Sequence, residues 1–145
     1  MSPIIDVVAP RLLGPAVVVA AAIIVKGYRD VGDGFSAGVI VALAVGLRYV
    51  ALGSERAERT LGIVRSAHLV SAGGLLIALG FGFCGLLFGA PPFTHLPRPG
   101  EPVVHIGRLE LTTAIGFDLG LFLLVTGSLV VLIRHLSELV ADSDR

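Results

Sequence analysis

Four long apolar runs, separated by short polar stretches, make up most of this chain. They cover about residues 12–25, 35–52, 67–90 and 111–133, and each is continuous, without apolar–polar alternation. A helix needs about 20 apolar residues to cross a bilayer, and in lipid only helices or closed barrels satisfy the backbone. Continuous runs select helices. The pattern therefore predicts an all-α integral membrane protein with four transmembrane helices, forming one domain over residues 1–145. The apolar stretch before Arg11 extends the first run. Pro10 and Pro15 are expected in its first turns, where a missing N–H costs least. Arg11, the run after it and Ala20-Ala21-Ala22 imitate a cleavable secretory signal. The run continues through Ile23, Ile24 and Val25 to Lys26, so it reads as a first span instead.

The polar connections differ in kind. Residues 26–38 crowd Lys26, Arg29, Asp30 and Asp33 together with Gly27, Gly32, Gly34 and Gly38. Gly32 and Gly34 permit positive φ, and Gly34 with Gly38 forms a GxxxG pair opening the second run. The N–H groups at that helix start could also hold an anion or a carboxylate. The glycine spacing is not GxGxxG and follows a membrane helix rather than a strand, which excludes a dinucleotide fingerprint. A tight helix junction is expected. After the second run, Ser54 is a candidate N-cap, and Glu55 with Arg59 has the spacing of a helix surface pair. The third run is dense in glycine, with Gly85 and Gly89 forming a second GxxxG pair suited to close helix packing. Pro91, Pro92, Pro97, Pro99 and Pro102 then predict an irregular extramembrane loop up to Glu110.

Composition sharpens the class. The chain is 54% hydrophobic and 15% charged, with a mean hydropathy of +0.91, whereas soluble domains carry about 25% charged residues. A net charge of zero offers nothing to nucleic acid. Cys84 is the one cysteine and reads as a small buried hydrophobe. His95 and His105, ten residues apart in the loop, do not make a metal site. No metal or other cofactor is expected, and no nucleophile–base pair suggests an enzyme. Counting basic residues near the spans places Arg11, Arg48, Arg56, Arg59, Arg65, Arg134 and Arg145 together, against Lys26, Arg29, Arg98 and Arg108. The positive-inside rule puts both termini in the cytoplasm. Lys26 and Arg48, near span ends, are expected to snorkel to the interface. There is no Trp, and only Tyr28 and Tyr49 could anchor at an interface, which fits a protein enclosed by other membrane subunits and lipid.

Asp118 is the carboxylate lodged well inside a run. Seven residues into the fourth stretch, it is expected roughly 10 Å into a hydrocarbon core of about 30 Å. An ionised carboxylate there costs on the order of 2.5–3.5 kcal/mol, so such groups pair, protonate or face a polar cavity. Gly116 and Gly120, four apart, share a helix face, and Asp118 points nearly the opposite way. Its own face carries Ala114, Ile115, Leu121, Phe122 and Val125, so a partner must come from another span, another subunit or water. Two roles are open: part of a proton or sodium route, or a pin that fixes helix register.

Two stretches resemble the MnhB family, the B subunits of the multisubunit Mrp-type Na⁺/H⁺ antiporters. That family's first turn is similar to G-H-x-x-P-G-G-G-F-x-A-G. Here it reads Gly27-Tyr28-Arg29-Asp30-Val31-Gly32-Asp33-Gly34-Phe35-Ser36-Ala37-Gly38. The family's last span resembles F-D-L-G-V-F-L-L-V-x-G, matched by Phe117-Asp118-Leu119-Gly120-Leu121-Phe122-Leu123-Leu124-Val125-Thr126-Gly127. Tyr28 stands for the family's His, Val31 for its Pro and Asp33 for a Gly; a phenol does not titrate near neutral pH as imidazole does. The resemblance implies an accessory subunit of a hetero-oligomeric cation/proton antiporter in a prokaryotic cytoplasmic membrane. It would support assembly and line a Na⁺ or H⁺ route. The alternatives it implies are the equivalent subunit of a hydrogenase-type or other ion-coupled complex, or a purely structural helix scaffold.

Overall fold

Each of the four apolar runs is a helix long and apolar enough to cross a membrane. The computed structural model describes residues 3–26, 32–97, 104–106 and 109–143. Helix α1 spans Pro3–Lys26, α2 Asp33–Leu52, a short α3 Ser54–Thr60, α4 Ala67–Phe83 and α5 Thr113–Ser143. The four spanning helices pack in the order α1, α2, α5, α4. Because four spans alternate in direction, the α1–α2 turn and the α4–α5 loop share one end of the bundle. The chain termini and α3 share the other.

Several boundaries differ from the expected ones, each for a local reason. α1 begins at Pro3, since Ile4, Ile5, Val7 and Val8 continue the apolar run. Pro10 and Pro15 consequently lie inside the helix, not in its first turn; membrane helices tolerate interior proline where neighbouring groups re-satisfy the freed carbonyl. α5 has 31 residues, about 46 Å at 1.5 Å per residue. That exceeds a hydrocarbon core of about 30 Å, and its last turns carry Arg134 and Glu138. α4 ends at Phe83, and a 3-10 segment, Cys84–Phe88, closes at Gly89 with a left-handed φ of 70°. The GxxxG pair at Gly85 and Gly89 therefore does not pack a helix within this chain. Gly85 lies under the carbonyls of Pro91 and Thr94, while Gly89 has open space around it.

The connections also correct two readings. Ser54 is the first residue of α3 rather than its cap; Gly53, at φ 78°, precedes it with no side-chain cap bond. The surface pair is present, Arg59 to Glu55 at 2.7 Å, and Arg134 of α5 reaches Glu58 at 3.3 Å. The proline-rich connection is not wholly irregular: Val104–Ile106 (β1) and Leu109–Leu111 (β2) pair antiparallel, with His105 opposite Glu110. The alternation in Val104-His105-Ile106 and Leu109-Glu110-Leu111 is the strand signal that the proline count obscures. Arg48 does not snorkel freely, because its guanidinium donates to the Pro10 carbonyl of α1. Cys84 is half-buried.

Helix seams are built from small residues. A Cβ on Gly74 would fall on the backbone of Leu124 and Gly120, one on Gly120 would meet Ala78 Cα at 2.9 Å, and one on Gly127 would meet Ser71 N at 2.6 Å. Close approach of α4 and α5 thus depends on these glycines. Ser71 and Ser128 hydroxyls bridge the same seam at 2.7 Å. Toward the α3 end, Val45, Tyr49, Ala57, Leu61, Val64, Ala67 and Val130 form a buried cluster.

Candidate functional site

The carboxylate of Asp118 sits where three segments meet. α5 starts at Thr113, so Asp118 lies five residues along it, about 8 Å from its start. Its backbone carbonyl lies against Gly34 so closely that a Cβ at Gly34 would overlap it. The site is therefore level with the first turn of α2.

Asp118 is 3% exposed. Its Oδ1 accepts the backbone N–H of Gly32 at 3.1 Å. This is an orphan donor at the start of α2, where the helix dipole favours negative charge. Gly32 caps α2 with a φ of 125°, a conformation that suits glycine because a Cβ there would be strained. The glycine-rich turn and the intramembrane carboxylate, read separately in the sequence, are one structure.

The residues around it divide by helix face as the 100° rotation dictates. Gly116 packs on the Phe81 ring and Gly120 on Ala78, both of α4. Asp118, Phe122 and Val125 face α2, the last two closing on Gly38. Thr126, also buried, donates to the Gly38 carbonyl at 3.4 Å. Asp118 and Thr126 are the buried polar side chains among the described residues. Phe35, in the first turn of α2, is 53% exposed. Gly27, Tyr28 and Val31 lie outside the described residues.

A third segment closes the site. Phe93 takes a left-handed φ of 61°; its N–H donates to Gly82 O at 2.6 Å, and its ring meets Phe83 at a tilt and Phe117 edge to face. Leu96 and Thr113 exchange two further bonds, Leu96 N–H to Thr113 Oγ1 at 2.8 Å and Thr113 N–H to Leu96 O at 2.9 Å. These contacts hold His95 edge-on to Phe117, with ring centroids 6.0 Å apart. Read in the sequence only as a poor metal candidate, His95 could have been traced from Thr113, a polar residue where the apolar run begins. Among the described residues no group of three His, Cys, Asp or Glu could hold a metal ion. An apolar groove of about 780 Å³ between α2 and α5 lies at the opposite end, by Leu43, Leu47 and Leu136.

Gly32→Ala tests the cap. The substitution forces a side chain into a strained φ, which costs about 1–3 kcal/mol, and is expected to lower thermal stability in detergent without removing the carboxylate.

Residues 4–131 match a family described as a domain related to the MnhB subunit of Na⁺/H⁺ antiporter. The chain is 37% identical over 112 residues to the Na(+)/H(+) antiporter B subunit of Alkalihalophilus pseudofirmus, covering 77% of this chain and 76% of that one. It is 31% identical to the Na(+)/H(+) antiporter B subunit of Bacillus subtilis, over 78% of this chain and 77% of that one. A probable K(+)/H(+) antiporter A/B subunit of Rhizobium meliloti is 34% identical over 144 residues, which are 92% of this chain and 14% of that one.

Proposed function

Since the chain belongs to the family of domains related to the MnhB subunit of Na⁺/H⁺ antiporters, we propose that it is an accessory membrane subunit of a multisubunit cation/proton antiporter. Its work there is to join larger transport subunits and to contribute Asp118 to a cation or proton route at their boundary. The observation that carries this reading is a buried carboxylate bound to the open start of α2. A carboxylate so placed can bind a proton in an apolar bundle while its backbone donor, the Gly32 N–H, holds it in position when ionised.

Asp118 is the one buried carboxylate among the described residues, which does not provide for exchange of two ions, so the main path belongs to partner subunits. The Rhizobium meliloti relative supports that arrangement, because a stretch like this chain occupies 14% of one long polypeptide whose name joins A and B. That name also brings potassium in as the exchanged cation, beside the sodium of the other relatives' names. The charge count favours a cytoplasmic location for the termini and α3, which puts the Asp118 end on the outer side of the cell membrane. Lipid and partner helices would then cover the exposed leucine and phenylalanine side chains of α4.

Affinity purification in mild detergent tests the proposal. The tagged chain is expected to carry several other membrane proteins with it, and vesicles from cells lacking it should lose cation/proton exchange. A stable homo-oligomer active by itself would overturn the reading.

A further inference from the structure

The end of the bundle away from Asp118 carries a groove that the ion route proposed above does not use. It lies between α2 and α5, holds about 780 Å³ and is walled by Leu43, Leu47, Val50, Leu136 and Val140, a size and lining that suit a small, mostly apolar molecule. Behind it the two helices touch. A Cβ on Gly46 would stand 3.2 Å from Ile133 Cδ1, and Val45, Tyr49 and Val130 are buried in the seam. A helix, about 10–12 Å across, cannot enter between helices already in contact, whereas a single hydrocarbon chain can lie along such a slot.

The groove changes character at one end. Ser54 and Ala141 line it and also line an adjoining pocket of about 450 Å³, whose other residues are Glu55, Glu58 and Glu138. No base lines that pocket. Arg59 bonds Glu55 at 2.7 Å, and Arg134 reaches Glu58 at 3.3 Å and Glu138 at 3.1 Å. Two guanidinium groups thus serve three carboxylates, which leaves the pocket one negative charge. The Glu55 and Arg59 side chains are mostly exposed, so this end opens to water. Inside the groove, Tyr49 is 6% exposed and its hydroxyl has no hydrogen-bond partner, Glu58 included. A buried hydroxyl left without a partner is unfavourable and calls for an acceptor from outside the chain.

We infer that this groove binds one phospholipid with an ammonium headgroup, of the phosphatidylethanolamine kind. An acyl chain lies in the slot between α2 and α5, the Tyr49 hydroxyl donates to an ester or phosphate oxygen of the lipid, and the ammonium donates to the carboxylates of the adjoining pocket. The chemistry along the site has the same order as the lipid: hydrocarbon, then a donor, then acids at the water's edge. A headgroup with net negative charge would meet the uncompensated carboxylate and be disfavoured. A lysine at the end of a partner's helix offers the same ammonium but no chain thin enough for the slot.

For the test, the full chain, with whatever subunits accompany it, is reconstituted in vesicles of equal parts phosphatidylethanolamine and phosphatidylglycerol. It is then re-extracted in mild detergent, and the retained lipid is measured by mass spectrometry. Phosphatidylethanolamine should be retained in preference. Val140→Trp, at a mostly exposed position on the groove wall, should fill the groove and remove that lipid while leaving the core alone. Glu58→Gln should cut the preference over phosphatidylglycerol about two- to fivefold, the worth of a partly exposed ion pair. Tyr49→Phe should weaken retention of both lipids several-fold, the range of one neutral hydrogen bond, while leaving the lipid-free chain at least as stable to heat. Equal retention of the two lipids would overturn the inference, as would retention unchanged in Val140→Trp. A photo-crosslinker placed at Val140 in native membranes decides the occupant: attachment to phospholipid supports the inference, and attachment to a partner's helix overturns it.

Discussion

Gly120→Val is expected to leave little folded protein in the membrane. The space a side chain would need at Gly120 is taken by backbone: Ala78 Cα at 2.9 Å and Gly74 O at 2.9 Å. Overpacking in cores costs about 1–3 kcal/mol where side chains can adjust. Here the obstructing atoms are helix main chain, so relief requires moving α4 as a whole, and the Gly127 and Gly74 contacts with it. Immunoblots of membrane fractions and copurification of partner subunits provide the readout, with Leu119→Val as a control. Leu119 is 45% exposed on the same helix and should tolerate the change.

Asp118→Asn is expected to preserve the assembled complex while reducing cation/proton exchange by about tenfold or more, equivalent to about 1.4 kcal/mol in the barrier. The side-chain amide keeps an oxygen for the Gly32 N–H, so the seam between α2 and α5 survives. What disappears is the negative charge and the capacity to bind a proton. Asp118→Ala should be worse for a different reason, since it strands the part-buried Gly32 N–H and costs about 1–3 kcal/mol of stability. Thermal unfolding in detergent distinguishes the pair: a small shift for Asn, a large one for Ala. Were Asp118→Asn to assemble and exchange ions at the native rate, the carboxylate would be a register pin and nothing more.

How much of this was legible in the sequence follows from the range of the interactions. Helix existence was readable because it depends on local hydropathy, and the opposite orientation of Gly116/Gly120 and Asp118 follows from helical rotation alone. The pairing of Asp118 with Gly32, separated by 86 residues, was not. The turn advertised free N–H groups and the span advertised an unpaired acid, but only tertiary packing joins them. Gly85 and Gly89 show the converse failure. Four-residue spacing means helix contact only if a helix is there, and the chain had already tightened into a 3-10 turn ending at a left-handed glycine. His95 was hidden by its loop, whose shape rests on backbone bonds to Gly82 and Thr113 that no periodicity reports.

The glycine seam between α4 and α5 also bears on how the bundle would respond to movement in its surroundings. Helices in contact through main chain have few side-chain rotamers to exchange, so the pair behaves as a stiff beam. α1, by contrast, is joined chiefly to α2 and is mostly open on its outer surface. Between beam and arm lies the α2–α5 seam, held at one end by the bond from Gly32 to one carboxylate and the close fit of Gly34 on the Asp118 backbone. A partner that pushes on α1 would load its seam with α2, including the bond from Arg48 to the Pro10 carbonyl, and reach that junction through α2. Protonating Asp118 would weaken the Gly32 bond there, so mechanical displacement and proton occupancy act on one joint.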